Sequence, residues 1–222
     1  MEWFQKNKQD LISDLNTDLE KGLTQDEAKN RLQEYGLNEL KEEAKQSMLS
    51  KVIAQFKDFL ILILIGASII SFMVGEKVDA AVIIAIVVVN AVLGLYQEGK
   101  AEKALEALKK MSAPNAKVLR DGNASVVPAN TLVPGDIVIL ETGDIIPADL
   151  RLIESSNLKV EEASLTGESV PVEKDAEAVL GEDVSLGDRI NMAYMSTIVS
   201  YGRGKGVVVG TGHNTEIGKI AT

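Results

Sequence analysis

Residues 59–96 read FLILILIGASIISFMVGEKVDAAVIIAIVVVNAVLGLY, and this stretch decides the architecture. Phe59 to Val74 carries no charge, nor does Ala80 to Tyr96, and only Gly75-Glu76-Lys77-Val78-Asp79 separates them. As helices these runs of 16 and 17 residues would extend about 24–26 Å at ~1.5 Å per residue. That is slightly less than a hydrocarbon core of about 30 Å, and flanking turns make up the difference. A buried hairpin of a soluble domain would need the remaining residues to cover every face of both helices. The spacing therefore predicts two membrane-spanning helices joined by a short polar turn.

Lysines on either side of the hairpin set its expected orientation. Lys41, Lys45, Lys51 and Lys57 precede it and Lys100, Lys103, Lys109 and Lys110 follow it, against Lys77 alone in the turn. This asymmetry predicts an integral membrane protein with both termini in the cytoplasm. A cleaved signal peptide does not fit, because the first apolar run lies behind a long charged segment and a second run follows directly.

Upstream, Leu11, Ile12, Leu15 and Leu19 recur at helical spacing up to Gly22, the expected stop. Thr24 and Glu27 have the spacing of a capping box for a second helix, with Leu23 and Ala28 as its hydrophobic staple and Gly36 beyond its last turn. Met48, Leu49, Val52, Ile53 and Phe56 form an amphipathic face suited to the headgroup boundary. Beyond the hairpin, Ala101, Ala104, Leu105 and Leu108 keep helical spacing, so the second spanning helix is expected to continue as a cytoplasmic stalk.

From Pro114 the period changes to two. Val118-Leu119, Val126-Val127, Ile137 to Leu140, Leu150 to Ile153, Leu158 to Val160, Ile198-Val199 and Val207 to Val209 are short strand candidates. Asp121-Gly122, Pro134-Gly135-Asp136, Thr142-Gly143-Asp144 and Gly202 to Gly206 supply turns between them. The expected fold is a membrane α+β protein: residues 1–46 are N-terminal helices belonging to the β domain, 47–111 the amphipathic helix, spanning hairpin and stalk, and 112–222 an antiparallel or jelly-roll β domain.

Composition excludes several functions. With no cysteine and one histidine, His213, thiolate metal sites, disulfides and cysteine nucleophiles are ruled out and a zinc centre is disfavoured. A net charge of -10 and nine aromatic residues argue against nucleic-acid binding. Glu161 and Glu162, adjacent on a strand, face opposite ways and cannot flank one glycosidic bond; they read as solvated charge. Lys159 reads as a solubilising charge on a strand edge.

The segment Leu165-Thr166-Gly167-Glu168-Ser169-Val170-Pro171 reads by itself as a surface turn. It also suits phosphate chemistry: Gly167 permits close backbone approach, Thr166 and Ser169 carry hydroxyls, and Glu168 can orient or deprotonate a water. An ordinary glutamate is a weak base for water, so the reaction would depend on positioning against an activated phosphoryl group.

Taken together, Gln55-Phe56, Asn90-Ala91 through Gln97-Glu98, Ala101-Glu102 to Ala107-Leu108, Val133 to Asp136, Gly143-Asp144 to Asp149, Leu165 to Ser169 and Gly210-Thr211-Gly212 to Lys219 occur in an order and spacing that resembles the N-terminal part of P-type cation-transporting ATPases. The closest resemblance is to the calcium-pump branch. It implies that the β domain is an actuator interrupted by the first membrane hairpin. Glu168 would position the water that hydrolyses an aspartyl-phosphate on a separate domain, with Thr166, Gly167 and Ser169 shaping the loop. It further implies ATP and Mg2+ in the full-length pump, Lys159 as a basic position some relatives use near nucleotide, Ca2+ as the transported ion, and the lipid bilayer and the phosphorylation and nucleotide domains as partners. The bacterial cell membrane is the expected location. Sarcoplasmic relatives carry an acidic pair where this chain has Lys57-Asp58, so the resemblance does not carry ion gating onto residue 57.

No Asp-Lys-Thr-Gly phosphorylation motif occurs, so the 222 residues alone are expected neither to hydrolyse ATP nor to transport ions. The rival expectation is a noncatalytic membrane-anchored regulatory module derived from such a pump.

Overall fold

The computed structural model describes residues 2–40, 47–57, 59–111 and 114–221, with 105–111 as backbone only. The chain divides into two units, Met1–Lys41 with Ala113–Thr222, and Glu42–Ser112.

The first unit is built on one open antiparallel sheet. Its strands are β1 (Asn115–Arg120), β2 (Asn123–Pro128), β3 (Ile137–Glu141), β4 (Asp149–Glu161), β5 (Val172–Glu173), β6 (Met192–Ala193) and β7 (Ile198–Gly210). They are ordered β2-β1-β3-β7-β4-β5, with β6 pairing beside β4. These hydrogen bonds trace a single sheet rather than the two facing sheets of a jelly roll.

Two expectations are corrected here. Leu150 to Ile153 and Leu158 to Val160 belong to the single 13-residue strand β4, and Ile198-Val199 and Val207 to Val209 to the equally long β7. Register shifts along the β4–β7 ladder bend the pair without ending it. Gly202 to Gly206, expected as a turn, lies inside β7. A Cβ on Gly202 would stand 2.2 Å from the Asn157 carbonyl oxygen, and one on Gly204 2.8 Å from that of Glu154. These glycines serve close backbone approach instead of chain reversal.

Apolar runs within the strands follow from burial on both faces. Val138, Leu140, Leu152 and Val208 turn to the main core with Val118, Leu132, Ile146, Leu158 and Val160. Their neighbours Ile137, Ile153 and Val207 turn the other way, onto Leu11 and Leu15. Those leucines come from α1 (Lys8–Leu15), which Asn7 caps by accepting hydrogen bonds from the Gln9 and Asp10 amides. The helix ends at Asn16, left-handed with φ 43°, and not at Gly22 as the spacing suggested; Leu19 joins the same cluster from outside the helix.

Helix α2 (Gln25–Tyr35) starts at Thr24, whose side chain accepts from the Glu27 amide. The reciprocal half of the capping box is replaced by an ion pair, Glu27 Oε1 lying 2.7 Å from Arg31 Nε. Arg31 also donates to the carbonyls of Leu15, Asn16 and Pro134, binding α1, α2 and the β2–β3 connection together. Leu23, Ala28 and Val133 close a small cluster beneath α2. Beyond Gly36, Asn38 donates to the carbonyls of Ala129 and Pro147 and accepts from the Gly212 amide.

The second unit is helical. It contains α3 (Met48–Gln55), capped by Ser47, α4 (Phe59–Val74) and the 35-residue α5 (Lys77–Met111). Gly75, at φ 98°, and Glu76 connect α4 to α5. The two helices pack together, with Ser68 Oγ donating to the Ala80 carbonyl at 3.1 Å. Lys51 of α3 pairs with Glu102 of α5. Most of the described apolar side chains of α4 and α5, among them Phe59, Leu60, Phe72, Met73, Val78, Val89 and Val92, are exposed. Within α5, Lys77–Ala104 is long and apolar enough to cross a membrane; α4 meets that measure only when joined to α3 across a 67° bend. Asp58 of the Lys57-Asp58 pair lies outside the described residues.

Candidate functional site

The strands β4 and β5 pair antiparallel, Val160 opposite Val172 and Lys159 opposite Glu173, so Glu162 to Pro171 form the loop at their joined end. The loop opens with one helical turn, α6 (Ala163–Thr166), whose amides at Leu165 and Thr166 donate to the Glu162 carbonyl at 2.9 Å. Thr166 Oγ1 donates to the same carbonyl at 3.1 Å and accepts from the Glu168 amide at 3.3 Å. Thr166 is thereby a local brace, linking the start of the turn to the residue after its end. Gly167 takes a left-handed conformation, φ 77°, and its amide donates to the Ala163 carbonyl. A Cβ there would meet nothing within 4 Å, so among the described residues it is the positive φ that calls for glycine.

Past that reversal Glu168, Ser169 and Val170 are all exposed. Leu165 points the other way and packs with Phe4, Met192 and Tyr194. The four loop residues named from the sequence therefore sit together at one end of the sheet, with the acid in solvent. An exposed carboxylate of this kind has no chemistry alone; it can orient a water only when an electrophile is brought against it. A groove of about 640 Å³ between β3, β4 and β7, lined by Lys8, Glu154, Arg203 and Lys205 among others, includes none of residues 162–171. Among the described residues no cluster of three or more acidic or histidine side chains could hold a metal ion.

Lys159 is exposed, but on a strand paired on both sides, opposite Glu173 of β5 and Tyr201 of β7, so its assignment to a sheet edge is corrected. The reading of Glu162 as solvated charge is also overturned. Its side chain is 0% exposed, and Oε1 lies 2.6 Å from Lys174 Nζ, likewise 0% exposed. Burial pushes the Glu162 carboxyl up and the Lys174 ammonium down, each opposed by its partner's charge. The sequence did hold a signal: Leu158, Val160 and Glu162 continue one inward-facing series of period two.

Two more buried charges lie near the start of β4. Arg151 donates to the carbonyls of Leu152, Ala176, Lys6 and Ala178, and burial lowers its pKa to about 10. Asp149 accepts from the Met195 and Glu216 amides; burial raises its carboxyl to about 6 against the pull of those two donors.

Sequence comparison places this geometry among known proteins. Residues 110–222 match the family model of the P-type ATPase actuator domain, and residues 3–71 that of the cation transporter/ATPase N-terminus. A calcium-transporting ATPase of Bacillus cereus is 54% identical over 99% of this chain and 25% of its own length. One from Bacillus subtilis is 51% identical over 100% of this chain and 25% of its own. A sodium/potassium exporting P-type ATPase of Schizosaccharomyces pombe is 45% identical over 96% of this chain and 21% of its own. The chain thus spans about a quarter of the length of the curated relatives it matches. It belongs to the P-type ATPase family and carries that family's N-terminal and actuator domains.

Proposed function

We propose that this chain supplies the actuator and the first membrane hairpin of an ATP-driven cation pump of the calcium-transporting type. Glu168 positions and deprotonates the water that attacks an aspartyl-phosphate carried by a domain outside these residues. The carrying observation is the loop itself: a braced helical turn ends in a left-handed glycine, and the acid beyond it stands in solvent at the end of the sheet. Thr166, Gly167 and Ser169 keep that shape. As water attacks phosphorus, its proton passes to the Glu168 carboxylate while the bond from phosphorus to the aspartyl oxygen breaks, releasing inorganic phosphate and free aspartate.

In this reading ATP and Mg2+ are held by the phosphorylation and nucleotide domains of the whole pump. Lys159, exposed beside Tyr201, is the side chain assigned to nucleotide contact. Residues 1–46 and 112–222 form the actuator and 47–111 its membrane insertion, with α5 running unbroken from the bilayer into a cytoplasmic stalk that transmits actuator movement to the ion gates. Support for a bilayer comes from the exposed apolar surfaces of α4 and α5 and from the lysine asymmetry around them. The names of the bacterial relatives favour calcium as the ion, and the bacterial cell membrane is the location assigned to such a pump in this reading.

Because the chain has no cysteine, topology can be read from one introduced thiol. In inside-out and right-side-out vesicles, Glu76→Cys is expected to react with a membrane-impermeant maleimide only from the extracellular side. Equal labelling from the cytoplasmic side would contradict the hairpin.

A further inference from the structure

The Glu162–Lys174 pair bounds the segment that carries Glu168. Glu162 ends the β4 side and Lys174 follows directly on β5, where its amide donates to the Leu158 carbonyl at 2.8 Å. Glu162 also acts through its backbone, since its carbonyl accepts all three donors that start α6: the Leu165 and Thr166 amides and Thr166 Oγ1. Both carboxylate oxygens and the ammonium are buried without a hydrogen-bond partner elsewhere among the described residues. Lys174 Nζ stands 5.9 Å from the centre of the Tyr194 ring, and Tyr194 belongs to the cluster that receives Leu165.

An apolar pair of similar volume would stabilise the sheet at least as well as two desolvated charges. What an ion pair adds is direction, because neither charge can leave the other without being stranded in an apolar site.

We infer that the buried Glu162–Lys174 pair is a positioning clamp, closing the base of the loop and fixing the Glu162 backbone from which the Glu168-bearing turn is hung. The inference deepens the proposed function and rests on it for its catalytic meaning, while its structural content can be tested on this chain alone.

Amide hydrogen exchange on the 222-residue chain in detergent micelles reads the clamp directly. Lys174→Met is expected to speed exchange at Leu165, Thr166 and Gly167 by about tenfold or more, with Leu152, Val207 and Val208 in the sheet unchanged. Glu162→Gln, which preserves volume and cannot strand a charge of its own, is expected to give the same local pattern with smaller amplitude, and it decides the matter if Lys174→Met does not fold. Unchanged α6 amides, or an equal acceleration at every amide, would overturn the clamp.

In a full-length pump bearing this segment, Lys174→Met is expected to slow phosphoenzyme decay by about tenfold while formation from ATP is kept. Local loosening without slower decay would overturn the role of Glu168 and leave the clamp standing. Slower decay with unaltered α6 exchange would overturn the clamp and leave Glu168 standing.

Discussion

In a full-length pump carrying this segment, Glu168→Gln is expected to form phosphoenzyme from ATP at a normal rate and to lose it about 100-fold or more slowly, the range typical of removing a positioned general base. Glutamine keeps the size of the side chain and one acceptor oxygen, but it cannot take the water's proton. Folding should be untouched, because the Glu168 side chain is exposed and the loop is held through the Glu168 amide and Thr166 Oγ1. Rapid-quench measurement of phosphoenzyme formation and decay separates the two steps. Decay within about threefold of the parent would leave no room for a general base at this position.

The second large effect concerns stability and lies on the other side of the sheet order, at β1 and β3. Asp136 is fully buried and receives Arg120 twice, Nε to Oδ1 at 2.8 Å and Nη2 to Oδ2 at 2.6 Å, while its Oδ2 also accepts the Val133 amide. Asp136→Ala strands a guanidinium that is only 7% exposed, for an expected loss of about 3–5 kcal/mol. Against a total domain stability of roughly 5–15 kcal/mol, that is enough to unfold a marginal domain. Pairing Asp136→Leu with Arg120→Met removes both charges and should recover most of the loss, leaving the unmet Val133 amide at about 1–3 kcal/mol. Urea denaturation in micelles measures both variants. A single variant costing less than about 1 kcal/mol would mean that the bidentate pair is not the strut its geometry describes.

These examples mark where the sequence can and cannot be read. Helix α2 was legible because its signals are local: Thr24 caps it, Leu23 and Ala28 bury beneath it, and Gly36 ends it. The loop around Glu168 was legible for the same reason, as its residues lie within a few positions of one another. Glu162 was misread because its fate depends on Lys174 arriving from the far side of the loop, and adjacent acids look alike until a partner desolvates one of them. The glycines from 202 to 206 were misread because glycine serves turns and close strand contacts equally, and only the approach of the β4 backbone distinguishes the two. Asn16 stopped α1 early through a left-handed conformation that apolar spacing does not report.

The proposed docking of this loop onto a phosphorylated partner is tested by one thiol close to the acid. Val170 is 75% exposed, lies in the same loop two residues past Glu168 and carries no group that can transfer a proton, so Val170→Cys in a pump stripped of its other cysteines is an accessible reporter. With phosphoenzyme held by Glu168→Gln, maleimide labelling of that cysteine should be strongly protected relative to the unphosphorylated pump. Equal labelling in the two states would show that the loop never reaches the phosphate.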